Sequence, residues 1–202
     1  MPDLTIEARH CAAGRLVVAG CDEAGRGCLA GPVVAAAVVL PSDARIPGLD
    51  DSKKLSPAQR EALVPEIARV ALAVGVGQCS PEEVDRLNVL WAAMEAMRRA
   101  VLALSVDGQP LVPDVLLIDG NRGIPNAPCA QETVVRGDGI SLSIAAASVV
   151  AKTARDHLMV ALDADFPVYG WAQHKGYPTA QHYAALAQHG PSPHHRRTFR
   201  LV

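Results

Sequence analysis

Leu16–Leu40 reads LVVAGCDEAGRGCLAGPVVAAAVVL. Leu16–Cys21 and Pro32–Leu40 are apolar runs of strand length, and GRGCLAG between them is turn material. Strands this close in sequence pair antiparallel. Downstream, Pro41–Leu55 reads as loop. Ser56-Pro57-Ala58-Gln59 then combines an N-cap serine, a first-turn proline and a glutamine three residues on, which predicts a helix running towards Arg69. Ala71–Cys79 is a third strand. Ser80-Pro81-Glu82-Glu83 repeats the cap signal before a helix whose stripe is Val84, Leu87, Leu90, Trp91, Met94 and Met97, a spacing that belongs to core. Val112–Asp119 and residues 130–136 complete five strands. Ile144 to about Leu162 predicts a largely buried helix, and residues 179–189 a short one. An antiparallel start followed by alternating strands and helices is a mixed α/β pattern.

Composition agrees with one folded unit of 202 residues, half of them apolar. Only seven residues are aromatic, so Ala, Val and Leu must fill most of the core. No apolar run has the length of a membrane span, and the first residues carry no secretory pattern. Five cysteines without a paired CxxC argue against a disulfide framework or a cysteine zinc site and predict a reducing, cytoplasmic setting. The net charge of −2 hides an asymmetry. The first 165 residues hold fifteen Lys/Arg against twenty-one Asp/Glu, whereas the last 37 carry Lys175, Arg196, Arg197, Arg200, five histidines and no acid. Its plain reading is a solvated terminal face. Its functional reading is a phosphate-facing edge beside an acidic pocket.

Three acidic positions stand at strand ends, each beside glycine: Asp22-Glu23 after the first strand, Asp119 ending the fourth and Asp138 after the fifth. Any one of them is ordinary turn chemistry. Together, on strands that can be sheet neighbours, they make a site. Clustered carboxylates repel unless a cation joins them, and oxygen-only donors suit Mg2+ or Mn2+. Two such ions about 4 Å apart can activate water and stabilise the leaving oxygen of a phosphodiester. Lys53, Lys54, Lys175, Arg196 and Arg197 are candidates for the basic rim that a nucleic acid would then need.

Six blocks carry a resemblance: AGCDEAGRGCLAGPVVAAAV, LDDSKKLS, LLIDGN, VRGDGISLSIAAASVVAKTARD, YGWAQHKGYPT and HGPSPHHRRTF. In order and spacing, from about residue 16 to 199, they resemble bacterial ribonuclease HII, a type 2 ribonuclease H. The resemblance implies an RNase H-like α/β fold: a mixed five-stranded sheet flanked by helices, with a small helical C-terminal part. On that reading residues 1–15 are an N-terminal extension, 16–202 the catalytic domain, and about 166–202 its basic C-terminal part. It also implies a metal-dependent endonuclease that cuts the RNA strand of RNA–DNA hybrids. In duplex DNA it would cut 5′ of embedded ribonucleotides, leaving 3′-hydroxyl and 5′-phosphate ends. Asp22, Glu23, Asp119 and Asp138 match the family's metal-holding acids. Gly25-Arg26-Gly27 matches its 2′-hydroxyl-sensing loop, and Tyr177 its substrate-stacking tyrosine.

Physical reasoning runs alongside. Telling RNA from DNA requires a hydrogen bond to the 2′-hydroxyl, and glycines let backbone approach a sugar closely. Gly25 and Gly27 also suit a plain turn, and Tyr177 a core, although its HKGYPT surroundings favour a surface loop. Ser148 and Lys152 share a helix face that either contacts phosphate or simply packs. Asp51-Ser52-Lys53-Lys54, before a helix cap, is either a charged loop or a backbone-phosphate contact, with Lys53 the substrate-contact candidate. Lys175 and Arg196 are substrate-contact candidates, and His194-His195 are expected at phosphate or solvent. Cys21 replaces a Val-like residue and Arg136 a lysine, both without expected effect. No glutamine-plus-aromatic tail of the kind that binds sliding clamps is seen after Phe199, and a monomer suits a nuclease that straddles a duplex. Ribonuclease HIII, a non-catalytic binding module and a carboxylate-pair glycosidase are the alternatives. The short stretch before Asp22, the complete set of acids and the scarcity of aromatics speak against them in turn.

Overall fold

The computed structural model describes residues 1–201, so the last residue of the expected domain, Val202, lies outside the described residues. The sheet strands are β1 (Val18–Ala24), β2 (Val33–Val39), β3 (Ala73–Cys79), β6 (Val115–Asp119) and β7 (Ala130–Val134); β4 (Ser105–Val106) and β5 (Gln109–Pro110) form a separate small hairpin. The helices are α1 (Thr5–Ala12), α2 (Pro57–Val70), α3 (Pro81–Leu87), α4 (Val89–Leu102), α5 (Leu142–Asp165), α6 (Trp171–His174) and α7 (Ala180–His189). The sheet order is β3-β2-β1-β6-β7, with β1 antiparallel to β2 and parallel to β6, and β7 parallel to β6. This is the expected mixed five-stranded sheet. The first two strands pair as the Leu16–Leu40 reading requires.

The capping boxes expected at Ser56/Gln59 and Ser80/Glu83 both form. The helix after Ser80 is nevertheless two helices. Asn88 breaks it at φ 64°, and its side chain caps α4 by accepting from the N–H groups of Leu90 and Trp91. That break turns the expected stripe, and Trp91 stays 45% exposed while Val84, Met94 and Met97 are buried. Strand β1 also runs further than expected. Asp22 and Glu23 lie within it, not after it.

The sheet is sandwiched. Helix α4 covers β3 and β2 on one face, and α5 crosses β1 and β2 on the other. Ala35, Ala36, Ala37, Ala145, Ala146 and Ala147 are fully buried in these layers. Small residues let the backbones come close. The extreme is Gly20, where a Cβ would overlap the backbone of Ser143 and Ile144 at the start of α5.

Residues 1–15, expected as an extension, are built into the fold. Asp3 bridges to Ser141, and the buried Glu7 carboxylate accepts from Ser141 Oγ at 2.6 Å and from the Ser143 backbone N–H at 3.0 Å. An acid at the first turn of α5 satisfies otherwise unpaired donors and the positive end of the helix dipole.

The C-terminal part packs as a cap around Tyr169, Trp171, Ala185 and Leu186. Backbone bonds attach it to the loop after β1: Leu29 N–H to Gly176 O (2.8 Å), Gly31 N–H to His194 O (2.9 Å) and Arg196 N–H to Leu29 O (2.8 Å).

Candidate active site

Parallel pairing of β1 with β6 and of β6 with β7 brings the C-terminal ends of three strands to one edge of the sheet. Asp22 and Asp119 stand there, and Asp138 follows in the short 3-10 turn Gly137–Gly139. Each of these three offers a carboxylate oxygen within 4.8 Å of the others. The backbone ties them together. The Gly137 N–H donates to Asp119 Oδ1 at 2.7 Å, and the Glu23 N–H to Asp22 Oδ1 at 2.7 Å. Glu23, the fourth expected acid, faces the loop instead, where Arg26 Nη1 donates to its carboxylate at 2.9 Å.

Crowding has an electrostatic cost. Burial first, then the charges of Glu23 and Asp119, push the Asp22 carboxyl well above the usual carboxylate range. Burial likewise raises Glu23, despite Arg26, and Asp119, whose neighbour Asp138 adds to the effect. Lys53 Nζ reaches Asp138 at 3.0 Å. Burial works against its charge, but Asp138 and Asp22 outweigh it and its pKa is raised. Three convergent, half to fully buried oxygen donors fit a hard divalent cation, which would favour the ionised forms of Asp22 and Asp119.

Asp22, Glu23 and Asp119 line a cavity of about 310 Å³ whose wall also includes Gly25, Arg26, Gly27, Ser52, Lys53, Ser148, Lys152 and Tyr177. Gly25 has φ +96°, and a Cβ there would run into the Arg155 guanidinium. The Ser148 and Ser52 hydroxyls hydrogen-bond at 2.9 Å, and Ser148 also bonds Asp22. Lys152 pairs with Asp156 and stands 5.7 Å from the centroid of the Tyr177 ring. Tyr177 is 40% exposed, with its hydroxyl in hydrogen-bond contact with the Cys28 thiol.

Residues 19–202 match the sequence profile of the family described as Ribonuclease HII. The chain is 53% identical to the ribonuclease HII of Geobacter sulfurreducens, covering 97% of this chain and 88% of the relative. It is 56% identical to that of Syntrophotalea carbinolica, covering 98% and 92%. The chain belongs to the ribonuclease HII family.

Among solved structures, the RNase HII of Archaeoglobus fulgidus, determined as a complex with PCNA, superposes with a TM-score of 0.76 at 27% identity, covering 93% of this chain and 96% of that one. The chain is therefore an enzyme, a phosphodiester endonuclease with the RNase H-like fold expected from its sequence.

Three expected residues are placed differently. Arg196 is not a rim cation. It is fully buried, donating to Gly31 O through Nε (3.0 Å) and Nη2 (2.9 Å) and to Arg26 O through Nη1 (3.0 Å), so it braces the Gly-Arg-Gly loop from behind. Lys175 lies off the acidic cavity, in a groove with Arg60, Asp156 and His157, and its ammonium bonds the Ala172 carbonyl. His195, expected at phosphate or solvent, is buried against Trp171 and Tyr169. Of the other rim candidates, Lys54 pairs with Asp50 at 3.0 Å, and Arg197 is exposed with its backbone N–H on Asp85.

Ser52, within the Asp51–Lys54 segment read as a loop or phosphate contact, sits inside the cavity wall. One residue was missed. Arg155 is fully buried and donates to the carbonyls of Pro32 (3.0 Å), Lys175 (2.9 Å) and Ala30 (3.0 Å), joining the loop after β1 to the segment before Tyr177. Its signal was present: Ser148, Lys152 and Arg155 stand at i, i+4 and i+7 on an otherwise Ala- and Val-rich helix.

Proposed function

We propose that this protein hydrolyses the RNA strand of RNA–DNA hybrids and cuts on the 5′ side of ribonucleotides embedded in duplex DNA. The products would carry 3′-hydroxyl and 5′-phosphate ends. One observation carries the reading: Asp22, Glu23 and Asp119, the Gly25-Arg26-Gly27 loop and Tyr177 line a single cavity. The acids proposed to cut and the residues proposed to read the sugar thus share one wall.

Asp22, Asp119 and Asp138 are the residues that would hold Mg2+ or Mn2+, with Glu23 beside them. Two divalent ions there would supply Lewis-acid activation of the attacking water and stabilisation of the departing 3′-oxygen. Water adds to phosphorus, the bond to the 3′-oxygen breaks, and that oxygen takes up a proton. The chain's own groups do the rest. Backbone at Gly25–Gly27, held from behind by Arg155 and Arg196, approaches the ribose and senses its 2′-hydroxyl. Tyr177 offers a flat apolar face to the neighbouring deoxyribose. Lys53, Ser148 and Lys152 offer donors to the phosphodiester and offset the acids that would repel it. We assign it the role of a cytoplasmic monomer that removes misincorporated ribonucleotides and RNA primer remnants.

The test is a 5′-labelled DNA duplex with one central ribonucleotide, incubated in Mg2+, Mn2+ or EDTA beside an all-DNA control. The expected result is one metal-dependent cut just 5′ of the ribonucleotide, and an intact control. Asp22→Asn should lower turnover by on the order of 10³-fold, the scale of losing one preorganised electrostatic group, while remaining folded. Equal cutting of both duplexes, or full activity of Asp22→Asn, would overturn the reading.

A further inference from the structure

Behind Tyr177, three buried side chains and a serine form one hydrogen-bond chain. The Ser192 N–H donates to His195 Nδ1 at 3.0 Å, and the Ser192 hydroxyl lies 2.9 Å from the same nitrogen. His195 Nε2 and His182 Nε2 are 3.0 Å apart. The Trp171 indole N–H also donates to His182 Nε2, at 3.1 Å. His182 Nδ1 lies 3.0 Å from the Tyr177 carbonyl.

Only one tautomer set leaves no two donors facing each other, with His182 Nε2 shared between the Trp171 and His195 donors. His195 Nδ1 faces a backbone N–H, so it accepts, and its proton must be on Nε2. His182 Nε2 faces the indole N–H, so it too accepts, and its proton must be on Nδ1. The chain therefore runs in one direction, from Ser192 through His195 and His182 to the Tyr177 carbonyl. A second proton on either ring would set two donors against each other. Burial agrees, lowering His182 and holding His195 down to about 4. The rest of the Tyr177 backbone is also tied: its N–H donates to His174 O at 2.9 Å, and its carbonyl accepts from the Thr179 N–H at 2.9 Å.

We infer that His182, oriented by His195, is a positioning residue that sets the place of Tyr177 at the mouth of the cavity, and with it the preference for single embedded ribonucleotides. The positional half of this stands on geometry alone; the preference rests on the reading of Tyr177 proposed above.

Amide side chains separate the two ring nitrogens. At residue 182, Asn keeps a donor where Nδ1 stood, whereas Gln keeps an acceptor where Nε2 stood and loses the donor to Tyr177. At residue 195, Gln keeps the donor towards His182, and Asn loses it. The full-length variants His182→Asn, His182→Gln, His195→Gln and His195→Asn are compared in two measurements. The first is amide hydrogen exchange at Tyr177 and Thr179. The second is the ratio of kcat/KM on a one-ribonucleotide duplex to kcat/KM on a continuous RNA–DNA hybrid.

His182→Gln and His195→Asn should speed exchange at Tyr177 and Thr179 about tenfold, the equilibrium effect of one lost buried hydrogen bond, and lower the ratio by a similar factor. His182→Asn and His195→Gln should stay within about twofold of the parent protein. A packing role would order the variants by size, with Asn worse than Gln at both positions, and that result would overturn the inference. At residue 195 both readings put Asn below Gln, so the contrast at residue 182 decides; should a variant there fail to fold, His195→Met, which matches Gln in length but lacks the donor, takes its place and should speed exchange as His195→Asn does. In a Tyr177→Ala background, His182→Gln should leave the ratio unchanged. If Tyr177→Ala alone leaves the ratio at the parent value, the reading of Tyr177 and the preference built on it are wrong, while the exchange data still decide whether His182 positions the segment.

Discussion

The layers of residues 18–165 and the cap of residues 166–199 are held together by opposite means. The layers bury Ala, Val, Leu and Ile, and the one aromatic residue among them, Trp91, stays largely outside. The cap holds the other six aromatics and five of the seven histidines. Contact between small residues is non-directional but close, so α5 lies almost on the backbone of β1 and the acids at the sheet edge cannot drift. Rings and imidazoles need partners when buried. The cap therefore assembles through directional bonds, among them Tyr169 Oη to Gly190 O at 2.8 Å and Trp171 Nε1 to His182. Close packing holds the acids proposed as the cutting centre, and directional bonding holds the surface proposed to select the substrate.

The contrast can be broken at its tightest point in the layers. Gly20→Ala puts a methyl group into the backbone of α5 at Ser143–Ile144, which no side-chain rotation relieves. The expected loss is about 3 kcal/mol, the upper end of overpacking, read from the denaturant midpoint, with the cap and the acids failing together. An unchanged midpoint would show that the layers yield more easily than their packing suggests.

The junction between the two regions comes next. Arg155→Met removes the donor to three carbonyls, two after β1 and one before Tyr177. About 2–3 kcal/mol should be lost, as unpaired carbonyls outweigh the relief of burying no charge. Protease nicking confined to the cap, with the sheet intact, would place the loss at the junction. Nicking throughout would mean that Arg155 serves the layers instead.

The smallest expected effect belongs to the cap alone. His195 is held near 4 against an ordinary 6.5, so the unfolded chain takes up its proton first on acidification. Its contribution to stability is complete above about pH 6.5 and declines until pH 4, by at most about 1.4 kcal/mol per pH unit for a single proton. Unfolding midpoints of the parent protein and His195→Gln should converge between pH 7 and pH 4. Parallel curves would mean that the ring titrates alike in the folded cap and the unfolded chain.

Reading the residues recovered most elements because their causes are local. Capping boxes at Ser56 and Ser80 and the apolar runs of β1 and β2 declare themselves within a few residues. Asn88 was passed over because a helix broken by a positive-φ cap keeps nearly the same apolar spacing as an unbroken one. The acids were legible as a set, since glycine-flanked carboxylates after apolar runs point to one sheet edge. That Glu23 turns to Arg26 while the other three converge was not.

Residue type and spacing determined the mixed α/β pattern and which side chains could carry charge or donate hydrogen bonds, and the resemblance of six sequence blocks supplied the family and its sheet. Tertiary structure decided where each cation and imidazole ended up. Arg196 and Lys175 look alike as basic residues in a basic tail, yet one is buried under the Gly-Arg-Gly loop and the other lies off the acidic cavity. The reason is that burial and partner choice depend on which backbone docks across the gap. The carbonyls that claim Arg196, those of Gly31 and Arg26, lie 165 and 170 residues away, beyond the reach of any local pattern.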